Sequence, residues 1–405
     1  MEDIIGRYNP WWFGERDHDI DKWSRMKVKW IPKWIDEISL KPFSLNIVVG
    51  PRQVGKTTGI KLLISKLLKT VDSYRVFYFN CDFTPDMNSL RKIIEYYFSI
   101  REARGLRRES CYIFLDEIGN VPGWWRVIKG FIDLGLFDRD VLTLTGSSTL
   151  RLKGEIELFP GRRGFGRDIV ALPLSFKDYA EVFGVKIDLT GRLSDDLVRA
   201  SIYKSELSKL FNSYISTGGF PLAVNNDPRA EEYYIFSLQG EILRLNKRIE
   251  LVKGIISSLM EKCPSPVSYS TIGREIGVSY KTVQEYIDAL RSLYVLEVAL
   301  FREGRRVIWR KERKFFFIDP FIANTLSHWT GEKYLESAIY EWIIQSHLYR
   351  RFGEVYYYRG KFEIDCIANE LKIEVKAGKP HRKYPRNVLI VDEESMPIFL
   401  YALGT

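Results

Sequence analysis

The segment Gly50-Pro51-Arg52-Gln53-Val54-Gly55-Lys56-Thr57-Thr58 carries a Gly-x-x-x-x-Gly-Lys-Thr spacing, and its chemistry is phosphate binding. Its glycines let backbone amides close around phosphate oxygens, and a helix starting at its end adds partial positive charge. Lys56 is placed to reach β/γ-phosphates, and Thr57 offers a hydroxyl to Mg²⁺. Downstream, the apolar run 111–115 ends in Asp116-Glu117. Such a pair can orient a Mg²⁺ shell (Asp116) and polarise an attacking water (Glu117).

Two further segments suit the same reaction. The run Val141-Leu142-Thr143-Leu144-Thr145 leads into Gly146-Ser147-Ser148, a hydroxyl-rich turn where open α/β sheets bind ligands. Ser147 is read as a γ-phosphate or water contact; the alternative reading of the turn is a helix start capped by Ser148 or Thr149. The loop Gly161-Arg162-Arg163-Gly164 supplies two fixed positive charges. They stabilise transition-state charge, in cis or from a neighbouring subunit, or they merely decorate a basic loop.

A third group lies near the C-terminus. Glu374 and Lys376, two apart on a strand, share a face, and Asp365 on the preceding strand is close enough to join them. Glu336, on the helix before these strands, supplies another carboxylate. Two carboxylates and a lysine can hold a hard divalent ion and steady developing phosphate charge, and a solvated charged hairpin face has the same composition.

The elements that must position these residues read as alternating strands and helices. Leu45–Val49, Val76–Asn80, Cys111–Leu115 and Val141–Thr145 are buried strands, and the stripe Ile60, Leu62, Leu63, Ile64, Leu67 and Leu68 is a helix. From Ser205 to Leu245 the pattern is helical, broken at Gly218-Gly219-Phe220-Pro221. Residues 267–300 read as a helix-turn-helix with a wing strand, with Ser270 and Ser279 as caps and Gly277 in the turn. Its second helix buries Val283, Ile287, Leu290 and Leu293 and exposes Tyr280, Lys281, Gln284 and Glu285. Arg302, Arg305, Arg306, Arg310, Lys311, Arg313 and Lys314 follow, interleaved with Phe301 and Trp309, and suit phosphate contacts to DNA or RNA. The helix 334–344 and the strands 355–359, 363–368 and 371–376 close the chain.

The loop Gly-Pro-Arg-Gln-Val-Gly-Lys-Thr, the Leu-Asp-Glu strand end, Thr-Gly-Ser-Ser, and Gly-Arg-Arg before Leu172-Pro173-Leu174-Ser175-Phe176 resemble archaeal and bacterial AAA-type ATPases of the signal-transduction (STAND-related) kind. Asn9-Pro10-Trp11-Trp12-Phe13-Gly14 and Gly218-Gly219-Phe220-Pro221 fit the same group, so the likeness runs over most of the chain. It implies binding and hydrolysis of ATP with Mg²⁺, a small helical lid, and a nucleotide-sensing element at Gly219 and Pro221. Members often carry Ser or Asn at the fourth-strand sensor, where this chain offers Thr145 and Ser147. Glu336, Asp365, Glu374 and Lys376 resemble the restriction-endonuclease-like (PD-(D/E)xK) pattern, which implies a second Mg²⁺ or Mn²⁺ at Asp365 and Glu374 if the domain is active. The expected architecture is α/β: a P-loop NTPase parallel sheet over 1–190, a helical lid over 191–248, a winged helix over 249–325 and a nuclease-like α/β domain over 326–405.

Composition sets outer bounds. The chain has 405 residues, 45% of them hydrophobic and 28% charged, enough for packed cores. Lys and Arg number 61 against 52 Asp and Glu, a net +9 that permits a polyanionic partner without requiring one. No apolar run reaches the ~20 residues that span a bilayer, so a membrane partner is not expected. Four cysteines, none in a Cys-x-x-Cys pair, and four histidines argue against a disulfide scaffold or structural zinc. These features lead us to expect a cytoplasmic protein. They leave open a homo-oligomer, an active nuclease, and a nucleotide switch or scaffold whose last domain binds a partner without cleavage.

Overall fold

The chain opens with α1 (Glu2–Tyr8), a 3-10 turn over Pro10–Phe13 and α2 (His18–Ser24). Asp17 starts α2 by accepting the amides of Asp19 and Ile20. Then follow β1 (Ser44–Val49), α3 (Lys56–Leu67), β2 (Val76–Asn80), α4 (Met87–Ala103), β3 (Tyr112–Asp116), α5 (Trp124–Asp133), β4 (Val141–Gly146) and β5 (Asp168–Val170). The strands lie in the order β2-β3-β4-β1-β5, all parallel. β1 and β4 are buried at every position, as continuous apolar strands covered on both faces should be. The four strands expected from the sequence are present within a residue or so of their ends, and β5 is an addition.

β2 is an edge strand, and the N-terminal segment covers it. Asn9 Nδ2 donates to the Tyr78 carbonyl at 2.9 Å, and the Tyr78 amide donates to Asn9 Oδ1 at 2.7 Å. The indole N–H groups of Trp11 and Trp12 both donate to the Val76 carbonyl. Side chains thereby satisfy an edge that would otherwise present unpaired backbone groups.

This computed structural model describes residues 2–147, 159, 161–360, 362–377 and 387–405, and the chain divides into two compact units, Met1–Leu172 and Pro173–Thr405. The alternative caps Ser148 and Thr149 lie outside the described residues.

The second unit contains α6 (Phe176–Val182), α7 (Leu193–Ser201), α8 (Lys204–Thr217), α9 (Pro221–Val224), α10 (Ala230–Arg244), α11 (Ile249–Lys262), α12 (Tyr269–Ile276) and α13 (Tyr280–Ser292). Ser279 caps α13 as expected, whereas α12 is capped by Ser268 instead of Ser270. The chain continues through β6 (Leu296–Glu303), β7 (Arg306–Val307), β8 (Arg313–Phe317), α14 (Pro320–Thr330), α15 (Glu336–Phe352), β9 (Tyr356–Arg359), β10 (Glu363–Ala368), β11 (Leu371–Lys376), β12 (Leu389–Asp392) and α16 (Met396–Leu403). One sheet runs β12-β11-β10-β9-β6-β7, with β8 also paired to β6.

That sheet changes the domain organisation. The strands expected as a wing and those expected as a nuclease-like domain share one hydrogen-bonded ladder, because β6 pairs antiparallel with β8 and parallel with β9 through Leu300–Tyr356 and Phe301–Tyr357. Residues 173–405 therefore form one unit where three segments meeting at 248 and 325 were expected, and the first unit ends at Leu172 instead of 190. The helices expected as a lid group with this second unit. Among the described residues no helix is long and apolar enough to cross a membrane.

Candidate functional site

The carboxyl ends of β1, β3 and β4 assemble the first site. Gly50 begins the loop after β1, and a Cβ there would lie 2.0 Å from the Ala171 carbonyl oxygen, so no larger residue fits without moving backbone. Lys56 starts α3 and is buried, with Nζ donating to the carbonyls of Gly50 at 3.0 Å and Pro51 at 2.9 Å. Thr57 Oγ1 donates to Asp116 Oδ2 at 2.6 Å.

Asp116 is fully buried and gathers three hydroxyls. Tyr78 OH donates to Oδ2 at 2.8 Å, and Thr145 Oγ1 donates to Oδ1. The Thr145 oxygen also accepts the Glu117 amide at 3.0 Å. Thr145 thus locks the two acidic residues from β4, while Ser147, also buried, sits at the end of that strand. Glu117 occupies the left-handed region at φ 52° and ψ 39°, an unfavourable conformation for a side chain with a Cβ and one that gathers at functional sites. Its carboxylate lies 3.9 Å from Lys56 Nζ. Burial raises the Glu117 carboxyl above its ordinary range, and the charges of Lys56 and Arg52 pull it back.

These residues fit a magnesium nucleotide. A hydroxyl and a carboxylate 2.6 Å apart, beside a buried ammonium held by loop carbonyls, make a hard oxygen donor pair with a cation for phosphate. Arg52, Gln53, Val54, Gly55 and Thr58 complete the loop and first turn. Arg162 and Arg163 are tied locally, Arg162 Nε to Asp133 at 2.5 Å and Arg163 to both oxygens of Asp168 at 2.7 and 2.6 Å.

Two supporting residues had no signal in the sequence. Tyr78 reaches Asp116 because β2 and β3 are neighbours with Tyr78 opposite Phe114. Lys61, on α3, stacks 3.5 Å from the Tyr78 ring centroid and pairs with Asp17 at 2.7 Å. The N-terminal segment thereby buttresses the tyrosine that holds Asp116.

In the second unit the structure brings Asp365, Glu374 and Lys376 together but not Glu336. Extending the β10–β11 register from Cys366–Ile373 puts Asp365 opposite Glu374. Lys376 Nζ pairs with Glu374 Oε1 at 2.6 Å. Glu336 is exposed on the first turn of α15, while Glu341 faces the sheet. The physical reason is helical phase: five residues rotate the side chain by roughly 140°. The partner of Glu341 is Lys314, placed by sequence in the basic phosphate-binding stretch but buried here on β8. Lys314 Nζ donates to Glu341 Oε1 and Asp365 Oδ1, both at 2.9 Å, with Glu363 at 3.6 Å. Burial alone would lower the lysine, but the carboxylates of Glu341 and Asp365 outweigh it and keep the ammonium charged. Burial, reinforced by Asp365, lifts Glu341 to about 8. Asp365 Oδ2 accepts the Val375 amide at 3.0 Å.

This second set does not fit a divalent ion. Both Asp365 oxygens are taken, Oδ1 by Lys314 and Oδ2 by the Val375 amide, Glu374 Oε1 is taken by Lys376, and among the described residues no group of three or more His, Cys, Asp or Glu is arranged to hold a metal. The four cysteines are buried and free.

The expected sensing element Gly218–Pro221 is hydrogen-bonded within the second unit. The Gly219 amide donates to both Asp319 oxygens, at 3.2 and 3.1 Å, and its carbonyl accepts the Leu174 amide at 2.9 Å. His347 closes the same region, with Nε2 accepting the Phe176 amide at 3.0 Å and Nδ1 2.8 Å from the Ile343 carbonyl.

Residues 43–180 match a family described as AAA domain, and residues 208–333 match a domain of unknown function (DUF8612). An uncharacterized protein of Haemophilus influenzae is 24% identical over 305 residues, covering 71% of this chain and 70% of that protein. An uncharacterized protein of Methanocaldococcus jannaschii is 25% identical over 275 residues, covering 64% of this chain and 57% of that protein. Similar solved structures include the Aeropyrum pernix ORC2 protein, with TM-score 0.42 at 12% identity over 71% of this chain and 88% of that one. Cdc6p from Pyrobaculum aerophilum gives TM-score 0.30 at 16% identity over 80% and 97%.

Proposed function

We propose that the first unit binds ATP with Mg²⁺ and hydrolyses it. The observation that carries this reading is the joint placement of Thr57, Asp116 and Glu117 at the strand ends beside Lys56, within a segment similar to AAA domains. Bound Mg²⁺ would neutralise phosphate charge, with Thr57 and Asp116 as the residues that hold it. Lys56 exchanges the Gly50 and Pro51 carbonyls for phosphate oxygens. Glu117 orients the attacking water, Ser147 contacts the terminal phosphate, and the loop amides from Gly50 to Thr58 cradle the chain. Arg162 or Arg163 serves as a transition-state cation, in cis or from another copy in a homo-oligomer, once released from Asp133 or Asp168. Lys56→Ala is expected to abolish ATP hydrolysis with the fold retained by circular dichroism. Full turnover by the purified variant would refute the assignment.

The second unit carries the nucleic-acid side of this reading. On α13, Tyr280, Lys281 and Gln284 are exposed, and the β6–β7 hairpin presents Arg305 and Arg306, with Arg310, Lys311 and a 69% exposed Trp309 following. The acidic residues on that helix are paired, Glu285 with Lys247 at 3.1 Å and Asp288 with Arg291 at 3.7 Å. Contacts of this type lie on phosphates, so Arg305→Ala with Arg306→Ala should flatten the salt dependence of DNA or RNA affinity by about 1 to 2 in log–log slope. Fluorescence anisotropy across a salt series tests this, and an unchanged slope rejects the hairpin as a phosphate contact.

A second reading is a cytoplasmic nucleotide switch or scaffold whose C-terminal strands bind a partner without cleaving it. Lys314 favours it, because its ammonium sits among the carboxylates that cleavage would require.

A further inference from the structure

We propose that Lys314 is the resident cation of the C-terminal sheet, and that its ammonium replaces the divalent ion the surrounding carboxylates would otherwise take. This deepens the non-cleaving reading of that region and is independent of the ATPase reading.

The geometry is specific to a tethered ammonium. Lys314 enters on β8, opposite Ala299 of β6, and is 2% exposed. Its ammonium donates to Glu341 on α15 and to Asp365 on β10, both at 2.9 Å, and lies 3.6 Å from the Glu363 carboxylate as an ion pair. Gln345 Nε2 donates to the same Glu341 oxygen, Oε1, at 2.9 Å. Asp365, the residue a metal would need most, has one oxygen on Lys314 and the other on the Val375 amide.

A hard divalent ion takes about six oxygen ligands. Binding one at Asp365 would bring a double positive charge against the buried ammonium on the same carboxylate. The ion enters only if Lys314 gives up its place on Asp365, which would part a buried ammonium from its carboxylates. The lysine thus supplies the charge balance that lets buried carboxylates coexist without metal. The same bond pins β8 to both α15 and β10, tying the wing return strand to the nuclease-like face.

The test is Mn²⁺ binding to the full chain without nucleotide, by isothermal titration and by the Mn²⁺-induced shift in thermal unfolding. Wild type, Asp365→Asn, Lys314→Met and Lys314→Met/Glu341→Gln are compared. The double variant removes the ammonium together with one of its carboxyl partners, and so serves if the single variant fails to fold. Wild type is expected to show no uptake sensitive to Asp365→Asn below about 1 mM. Either Lys314 variant should gain one Mn²⁺ site at least about tenfold tighter, lost again when Asp365→Asn is added. The proposal is overturned if wild type binds Mn²⁺ and Asp365→Asn abolishes it, or if a folded Lys314 variant gains no site. The wild-type pair decides the matter even if neither lysine variant folds.

Discussion

Tyr78→Phe is the perturbation that most directly tests how the first site is held. It deletes one oxygen and keeps the ring, so the 3.5 Å stacking of Lys61 survives. The lost bond is a 2.8 Å donation to the buried Asp116 carboxylate. A hydrogen bond to a charged group is worth about 1.5–3 kcal/mol. Asp116 retains Thr57 and Thr145, so the lower end applies, about 1.5 kcal/mol. If Thr57 held a bound Mg²⁺, Tyr78 and Thr145 alone would orient the carboxylate, and the full amount would then fall on the reaction. We expect kcat for ATP hydrolysis to fall roughly tenfold, with KM for ATP within about twofold and not recovered by excess Mg²⁺. The melting temperature of the first unit should drop by a few degrees, about 2–4 °C per kcal/mol at this size. Steady-state phosphate release across ATP and Mg²⁺ titrations, with melting curves on the same samples, measures both. A melting shift with unchanged kcat would refute the positioning role and leave Tyr78 a packing residue.

Three further outcomes follow from the second unit. A Cβ on Gly219 would lie 2.0 Å from the Leu174 carbonyl oxygen, so Gly219→Ala should destabilise that unit by more than about 2 kcal/mol, read by urea unfolding. Burial holds His347 down at about 3, below its ordinary 6.5; the unfolded chain binds the extra proton, so its contribution is present above pH 6.5 and is lost as pH falls towards 3, at up to about 1.4 kcal/mol per unit. His347→Gln should flatten the decline in stability between pH 6.5 and 5. Asp319, lifted to about 7 by burial, acts with the opposite sign, losing its contribution as pH rises from the ordinary carboxylate range to 7, so Asp319→Asn should steepen the acid loss.

The legible parts of the site were those contiguous in the chain. Lys56 and Thr57 lie in one loop, and Asp116 and Glu117 end one strand, so spacing and flanking apolar runs sufficed. Tyr78 was illegible because its role depends on β2 lying beside β3, a fact of sheet order. The sequence marks Thr145 as a hydroxyl near phosphate, whereas its bond to Asp116 depends on β4 lying beside β3. On the C-terminal side the strands were read to the residue for β10 and β11, yet Glu336 was taken where Glu341 points inward. The helix there is buried on several sides, so apolar periodicity gives its phase poorly. Lys314 was hidden by company: six other basic residues precede it, and only the pairing of β8 with β6 shows it turning inward. The pairing of β6 with β9 across residue 325 was illegible for a related reason, since the parallel match of Leu300 with Tyr356 leaves no local trace.

That parallel pairing also has a mechanical consequence. β6 is a common rail: the β7 hairpin hangs from one end, and β9, β10 and β11 are laid edge to edge beside it. A tug applied at the hairpin is borne by shear along these strands before it reaches any loop. A shortened protein ending near residue 325 would strip β9 away and leave β6 with a bare edge, open to stacking against other chains. The β6–β8 strands and β9 to β12 should therefore be inherited, expressed and unfolded as one body.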